Sequence, residues 1–203
     1  MNKLQLLAII SVLSFTISCT TKPSKTSNDN ASETLKEQAA PKKIFDNALI
    51  MQSALEGNIE MIKGAVENGF DVNTTDENKR TALMLAAYNG HNEIVQLLIA
   101  KGANVNLTDN IQRTALMYAS TGPFVPTVLS LLESGAKPNM VDSEENWTAV
   151  MMAASEGQLE VMKVLVNHGA DLKMVDVDGE SSLDFANSKG HTAVAAYIKT
   201  QVK

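Results

Sequence analysis

A stretch beginning at Arg80, RTALMLAAYNGHNEIVQLLIAKGANVN, returns from Arg113 as RTALMYASTGPFVPTVLSLLESGAKPN and from Trp147 as WTAVMMAASEGQLEVMKVLVNHGADLK. Thr81, Thr114 and Thr148 lie 33 and 34 residues apart, and Gly102, Gly135 and Gly169 keep the same spacing. A period of this size marks stacked supersecondary units, and it constrains the fold more than any local propensity does. Each unit is too small to bury its own apolar surface, so it must lean on its neighbours.

The unit can be read from its residues. Thr81 is placed to cap a helix with its hydroxyl. Ala82, Leu83, Ala86 and Ala87 then follow at helical spacing. Asn89-Gly90 stops that helix. A second runs from Glu93 to Ala100, with Ile94, Val95, Leu97 and Leu98 on its inner side, and Lys101-Gly102 closes it. Residues 104–110 carry turn chemistry. The pattern is helix, turn, helix, extended finger.

These residues resemble the ankyrin repeat, whose signature T-P-L-H-x-A stands here as Thr81-Ala82-Leu83-Met84-Leu85-Ala86, Thr114-Ala115-Leu116-Met117, Thr148-Ala149-Val150-Met151 and a weak Ser181-Ser182-Leu183-Asp184. Gly90-His91, Gly190-His191, Gly102-Ala103-Asn104-Val105-Asn106 and Asn167-His168-Gly169-Ala170-Asp171 also fit. Ala replaces Pro and Met replaces His, which points to apolar packing where the family often places a hydrogen bond. The resemblance implies an all-α solenoid of about five helix-turn-helix repeats with β-turn fingers. The units fall at approximately 44–75, 76–108, 109–141, 142–175 and 176–203. The first lacks the Thr signature. The third carries Pro126 where its second helix begins, a position that tolerates a missing N–H. The fourth has one extra finger residue within Ser143-Glu144-Glu145-Asn146-Trp147.

The N-terminus has the pattern of a targeting segment. After Lys3, residues 4–17 form an apolar run shorter than the roughly 20 residues a spanning helix needs. Thr16-Ile17-Ser18-Cys19 resembles the lipobox of bacterial lipoproteins, with Thr in place of the usual Leu. That resemblance implies a signal peptide over residues 1–18, lipid on Cys19, and anchoring at the outer membrane facing the periplasm. Cys19 is the sole cysteine, so no intramolecular disulfide can form. Residues 19–43 are rich in Ser, Thr, Lys and Asn, a composition that supports a tether and no core.

The chain carries 17 Lys and Arg against 23 Asp and Glu, and six of those cations but only three of the carboxylates precede Ile44. The repeats therefore hold 11 cations against 20 carboxylates. Such a domain repels phosphate backbones, which disfavours nucleic acid as a partner. No nucleophile elbow, P-loop, paired-Cys or HExxH pattern is present, so neither catalysis, cofactor nor metal is expected. Asp176-Val177-Asp178-Gly179-Glu180 opens like a calcium loop, but its twelfth position is Asn187 rather than Glu. In the repeat register it is a finger turn, with Gly179 supplying a positive φ. His91, His168 and His191 sit at helix ends, where a hydrogen bond or a favourable dipole explains them. The N-x-Thr triplets at Asn73, Asn106 and Asn146 are turn residues.

A family member of this kind binds proteins through its fingers and the open side of its inner helices. Register aligns Gln52, Leu85, Tyr118, Met152 and Phe185, and three positions on Leu55, Tyr88, Thr121, Ser155 and Ser188. Leu85, Tyr88, Tyr118, Met152 and Phe185 are thus expected either as an apolar floor for a partner or as side chains half-covered by neighbouring repeats. Arg80, Arg113, Asn89, Thr121 and Ser155 flank that strip. Trp147, beside Glu144 and Glu145, is either an anchor for the partner or packed across the finger base. The expected role is recognition of a protein partner in the cell envelope. An inhibitor or immunity protein for a secreted enzyme, or a scaffold for an envelope enzyme, are the narrower alternatives.

Overall fold

The computed structural model describes residues 45–202, within one compact unit, Pro41–Lys203. The expected signal peptide, Cys19 and the tether lie outside the described residues. Among the described residues ten helices follow in pairs: α1 (Asn47–Glu56) with α2 (Ile59–Glu67), α3 (Ala82–Tyr88) with α4 (Asn92–Ala100), α5 (Ala115–Ser120) with α6 (Val125–Glu133), α7 (Ala149–Ser155) with α8 (Leu159–Asn167), and α9 (Ser182–Ser188) with α10 (Thr192–Gln201). The odd-numbered helices stack against one another as an inner row, and the even-numbered helices form an outer row behind them.

The inner helices start where the repeated Thr stands. The hydroxyls of Thr81, Thr114 and Thr148 accept from the backbone N–H of Met84, Met117 and Met151 at 3.3, 3.3 and 3.4 Å. The Thr N–H groups point in turn at the Met sulfurs, at 3.5, 3.4 and 3.4 Å. This is a capping box with a thioether in the place of the usual Glu or Gln. The three Met are buried to 1 % exposure or less. They therefore fill the core as expected and add a weak acceptor that packing alone did not predict. In the fifth repeat Ser181 replaces Thr, and its N–H and hydroxyl both donate to Asp184. Those bonds hold the Asp184 carboxyl below its ordinary pKa.

Alanine sets the tightness of the inner row. Ala82, Ala86, Ala87, Ala119, Ala153 and Ala154 are at 0 % exposure. Their small side chains let successive helices approach closely, and Leu83, Leu116 and Val150 fill what remains. Behind them Ile94, Leu98, Val128, Leu131, Val161, Leu165, Val194 and Ile198 line the contact with the outer row. Pro126 sits in the first turn of α6, where its missing N–H costs nothing.

The outer helices α2, α4, α6 and α8 each end at a glycine in the left-handed region. In α4 the Ala103 N–H returns to Leu98 O at 3.0 Å and the Gly102 N–H to Ile99 O at 2.9 Å. The loop beyond is tied to the next repeat by one side chain. The Asn73 carboxamide accepts from Asn104 N–H at 2.8 Å and donates to Gly102 O at 3.3 Å. Asn106 does the same with Lys137 and Gly135, and Asn139 with Asp171 and Gly169. Asn73 and Asn106, turn residues by sequence, are inter-repeat clasps as well.

Candidate binding surface

The front of the stack is built from fingers, and an aspartate makes each of them. Asp76 Oδ1 accepts from the N–H groups of Asn78 and Arg80, at 2.9 and 2.8 Å. Asp109 binds Ile111 and Arg113 likewise, Asp142 binds Glu145 and Trp147, and Asp176 binds Asp178 and Glu180. Two orphan N–H groups per turn are thereby satisfied by one carboxylate. The turn closes through a residue of positive φ: Lys79, Gln112, Asn146 and Gly179. Bridges Thr75–Thr81, Thr108–Thr114 and Val175–Ser181 zip three finger bases. No such bridge is seen among the described residues in the Asp142 finger, where the extra residue sits.

Neighbouring fingers join through backbone. The N–H groups of Asn110, Ser143 and Val177 donate to the carbonyls of Asn78, Ile111 and Glu145, at 3.0, 2.9 and 3.0 Å. Side chains add to the link at two places: the Asn110 carboxamide donates to Glu77 O at 3.3 Å, and Arg113 reaches the acids of the next finger.

Tyr118 lies half-buried on α5, with its hydroxyl donating to Asp109 Oδ2 at 2.7 Å. Burial, then the hydrogen bond to that carboxylate, pushes its pKa up to about 12. It is a fixed neutral donor at physiological pH. Tyr88, one repeat earlier, stands edge-on to it, ring centroids 5.9 Å apart and planes at 90°. Tyr88 is 49 % exposed. Arg80 pairs with Asp76 at 2.8 Å. Arg113 reaches Glu144 at 3.6 Å and the buried Asp142 at 3.9 Å. Thr121 donates to Tyr118 O at 2.9 Å, and Asn89 to Leu55 O at 2.7 Å.

The expected apolar floor needs correction. Leu85, Met152 and Phe185 are only 6 to 7 % exposed, and Ser155 is 8 % exposed. Close packing of the alanine-rich helices leans these side chains into the stack. Trp147 takes part in covering Phe185, with ring centroids 4.5 Å apart. What the front offers to solvent is Tyr88, the open edges of Tyr118 and Trp147, and charged fingertips that include Glu144 and Glu145. Leu85 and Met152 appear only as the bottoms of clefts. One cleft of about 480 Å³ lies between α1 and the Asp76 finger. Another of about 210 Å³ lies among Arg80, Asp109 and Tyr118. A third, of about 280 Å³, lies between Arg113 and Trp147.

The histidines belong to the back of the stack. The Nε2 atoms of His91 and His191 lie 3.0 Å from the carbonyls of Leu55 and Ser155 in the preceding repeats. His168 ends α8, its Nδ1 2.8 Å from Val164 O. Among the described residues no group of His, Cys, Asp and Glu is arranged to hold a metal ion.

A family model of ankyrin repeats in three copies matches residues 50–142 and, again, 122–201. The human Notch-regulated ankyrin repeat-containing protein is 37 % identical over 59 residues, 29 % of this chain and 52 % of that protein. The mouse ankyrin repeat family A protein 2 is 43 % identical over 49 residues, 24 % of this chain and 16 % of that protein. The chain thus spans about half the length of the first relative and a smaller share of the second.

Proposed function

Because the chain belongs to the ankyrin-repeat family, we propose that it is a non-catalytic module that captures a protein partner on the finger side of its stack, from a lipid anchor in the bacterial envelope. The observation carrying the first part is the Tyr88–Tyr118 pair. Tyr88 is a large aromatic side chain left 49 % exposed in the middle of the front, braced edge-on by a second ring whose hydroxyl is itself fixed. A rigid, half-wet aromatic loses little entropy on contact and is the usual anchor of a protein interface. The carboxylates around it serve as turn braces and lack a paired base or nucleophile, so recognition fits the arrangement better than turnover. Arg80, Arg113, Asn89, Thr121, Glu144, Glu145 and Trp147 border the pair and make its polar rim.

The anchoring part rests on the sequence alone: the apolar run of residues 4–17, the small residue Ser18, and Cys19. Several acyl chains on that cysteine hold a protein at a membrane where a single chain does not. An acidic periplasmic face would favour a basic partner.

Both parts are testable in one strain. The full chain, carrying a C-terminal tag, is labelled with radioactive palmitate and cross-linked before purification. Cys19→Ser should abolish label and release the chain from membranes; label retained in that variant refutes the anchor. Tyr88→Ala should lose the cross-linked species seen with the parent chain while its helical circular dichroism is unchanged. An identical cross-link pattern refutes the front surface as the binding face.

A further inference from the structure

The charge along the finger ridge is uneven. The first two full fingers mix signs, with Lys79, Arg80 and Arg113 among their acids. The Asp142 and Asp176 fingers carry Asp142, Glu144, Glu145, Asp176, Asp178 and Glu180 with no Lys or Arg. Two of these acids, Asp142 and Asp176, are turned inward to brace their own turns. Arg113, at the boundary, is engaged by Asp142 and Glu144. Of the remaining acids, Glu145 lines the cleft between Arg113 and the Asp142 finger.

That cleft, about 280 Å³, has Trp147 and Met152 as its apolar lining, with Thr121, Glu145 and Glu156 around them and the Arg113–Asp142 pair forming one wall, so the cation already in its lining is matched by a carboxylate. Both glutamates are exposed, and among the described residues neither carboxylate has an ion-pair or hydrogen-bond partner. The Trp147 ring packs against Phe185, with centroids 4.5 Å apart. An aromatic ring and two free carboxylates around one opening attract a cation: the ring quadrupole takes its face and the carboxylates its N–H groups. The volume is at or below the lower end of small-molecule pockets, about 300–1,000 Å³, so it suits one side chain better than a cofactor.

We infer that this cleft receives an arginine side chain of the partner, its guanidinium over the Trp147 indole and bonded to Glu145 and Glu156. Arginine fits better than lysine because a planar, weakly hydrated guanidinium can lie on an indole and still present its N–H edge to two acids. The assignment rests on the proposed binding role and names the chemistry its partner brings.

Trp147 is the only tryptophan in the chain, so its indole N–H gives a single resonance that reports the site directly. The probe is acetyl-tetra-arginine amide, titrated into the ¹⁵N-labelled full chain in detergent. Its uncharged isostere, acetyl-tetra-citrulline amide, is the control. The arginine peptide should move the indole resonance saturably, and citrulline should leave it in place. Glu145→Gln with Glu156→Gln should weaken the arginine response about five-fold. The double change Glu93→Gln with Glu133→Gln, on α4 and α6, alters net charge equally and should leave the response unchanged. An indole resonance that ignores the arginine peptide overturns the assignment. So does an equal response to citrulline, or equal weakening in the two double variants. Loss of partner cross-linking in Tyr88→Ala alongside an unresponsive indole would remove this inference alone. An unaltered cross-link pattern would remove the binding role itself.

Discussion

Besides the asparagine clasps at the outer-helix ends, neighbouring repeats are joined along a front seam and a back seam, and these two are made of different material. In front, fingers join through main-chain N–H and carbonyl groups, and the recurring Asp holds each turn in shape. At the back, the residue that precedes each outer helix from α4 onward reaches to the previous repeat with its side chain. There His91 meets Leu55 O, Phe124 lies on Gly90 and Gly122, Gln158 meets Thr121 O at 3.4 Å, and His191 meets Ser155 O. A seam carried mainly by backbone leaves most of its side chains uncommitted, so Glu77, Ile111 and Asp178 can differ from finger to finger at little cost to the stack, while Glu144 is tied to Arg113. A seam made of side chains commits them. This is a physical reason for recognition to live on the front: variation costs least there. It also shows that the back requires a filled notch more than any particular bond, since imidazole, phenyl and carboxamide all serve.

The sharpest way to break that contrast is to crowd the notch. Gly90 has a φ of +69°, and a Cβ there would fall 2.2 Å from the Phe124 ring. Gly102 has a φ of +88° with nothing within 4 Å of a Cβ. Gly102→Ala should cost about 1 kcal/mol from backbone strain alone. Gly90→Ala adds overpacking and should cost about 3 kcal/mol. Urea unfolding of the two variants measures the difference. Equal losses would mean the phenyl ring swings aside freely and the notch is not a fixed joint.

Emptying the notch comes next. Phe124→Ala removes a half-buried ring and should cost about 2–3 kcal/mol. His91→Ala removes one hydrogen bond and a smaller ring, for about 1–2 kcal/mol. Phe124→His should recover part of the loss if filling matters more than chemistry. Should it prove worse than Phe124→Ala, the two kinds of joint are not interchangeable and the contrast must be redrawn repeat by repeat.

On the front, the same logic separates brace from tip within one finger. Asp176 is 8 % exposed and accepts two N–H groups, whereas Asp178, two residues on, is exposed. Asp176→Ala should cost about 2 kcal/mol by leaving two donors unpaired. Asp178→Ala should stay within about 0.5 kcal/mol. Similar midpoints in urea would show that the turn is held by its neighbours and not by its aspartate.

How much of this was legible in the sequence follows from which atoms do the work. The 33-residue period, the Thr caps and the terminal glycines report backbone geometry that few residue types satisfy, so repeat architecture and helix order could be read directly. Thr-x-x-Met carried a signal that was under-read: the spacing is that of a capping box, and the sulfur occupies the acceptor's place. The brace role of Asp76, Asp109, Asp142 and Asp176 was also present as a period in the acids, hidden because turns are rich in Asp for several reasons. The exposed strip was not legible. Register places Leu85, Met152 and Phe185 on the front of their helices, but how far each leans is decided by alanine contacts with the next repeat. Phe185, at 6 % exposure, has Trp147 of the preceding repeat against it, whereas Tyr88, at a position three residues further along its helix, is 49 % exposed.

The smallest effect lies where brace and recognition surface meet. Tyr118 donates to Asp109, and its pKa of about 12 stands above the usual tyrosine value of roughly 10. Below pH 10 the phenol is protonated in both folded and unfolded chains, and its stabilisation is fully present. Between pH 10 and 12 the unfolded chain releases a proton that the folded chain retains, so stability falls through that window. Because the ring is partly open to solvent, the loss should be about 1 kcal/mol rather than the full shift. Tyr118→Phe removes the group, and the urea midpoint of that variant should decline less steeply from pH 9.5 to 11.5 than the parent's. Parallel declines would mean that the hydroxyl-to-carboxylate bond does not persist in solution. Tyr88 would then have a loose neighbour where the proposed anchor requires a fixed one.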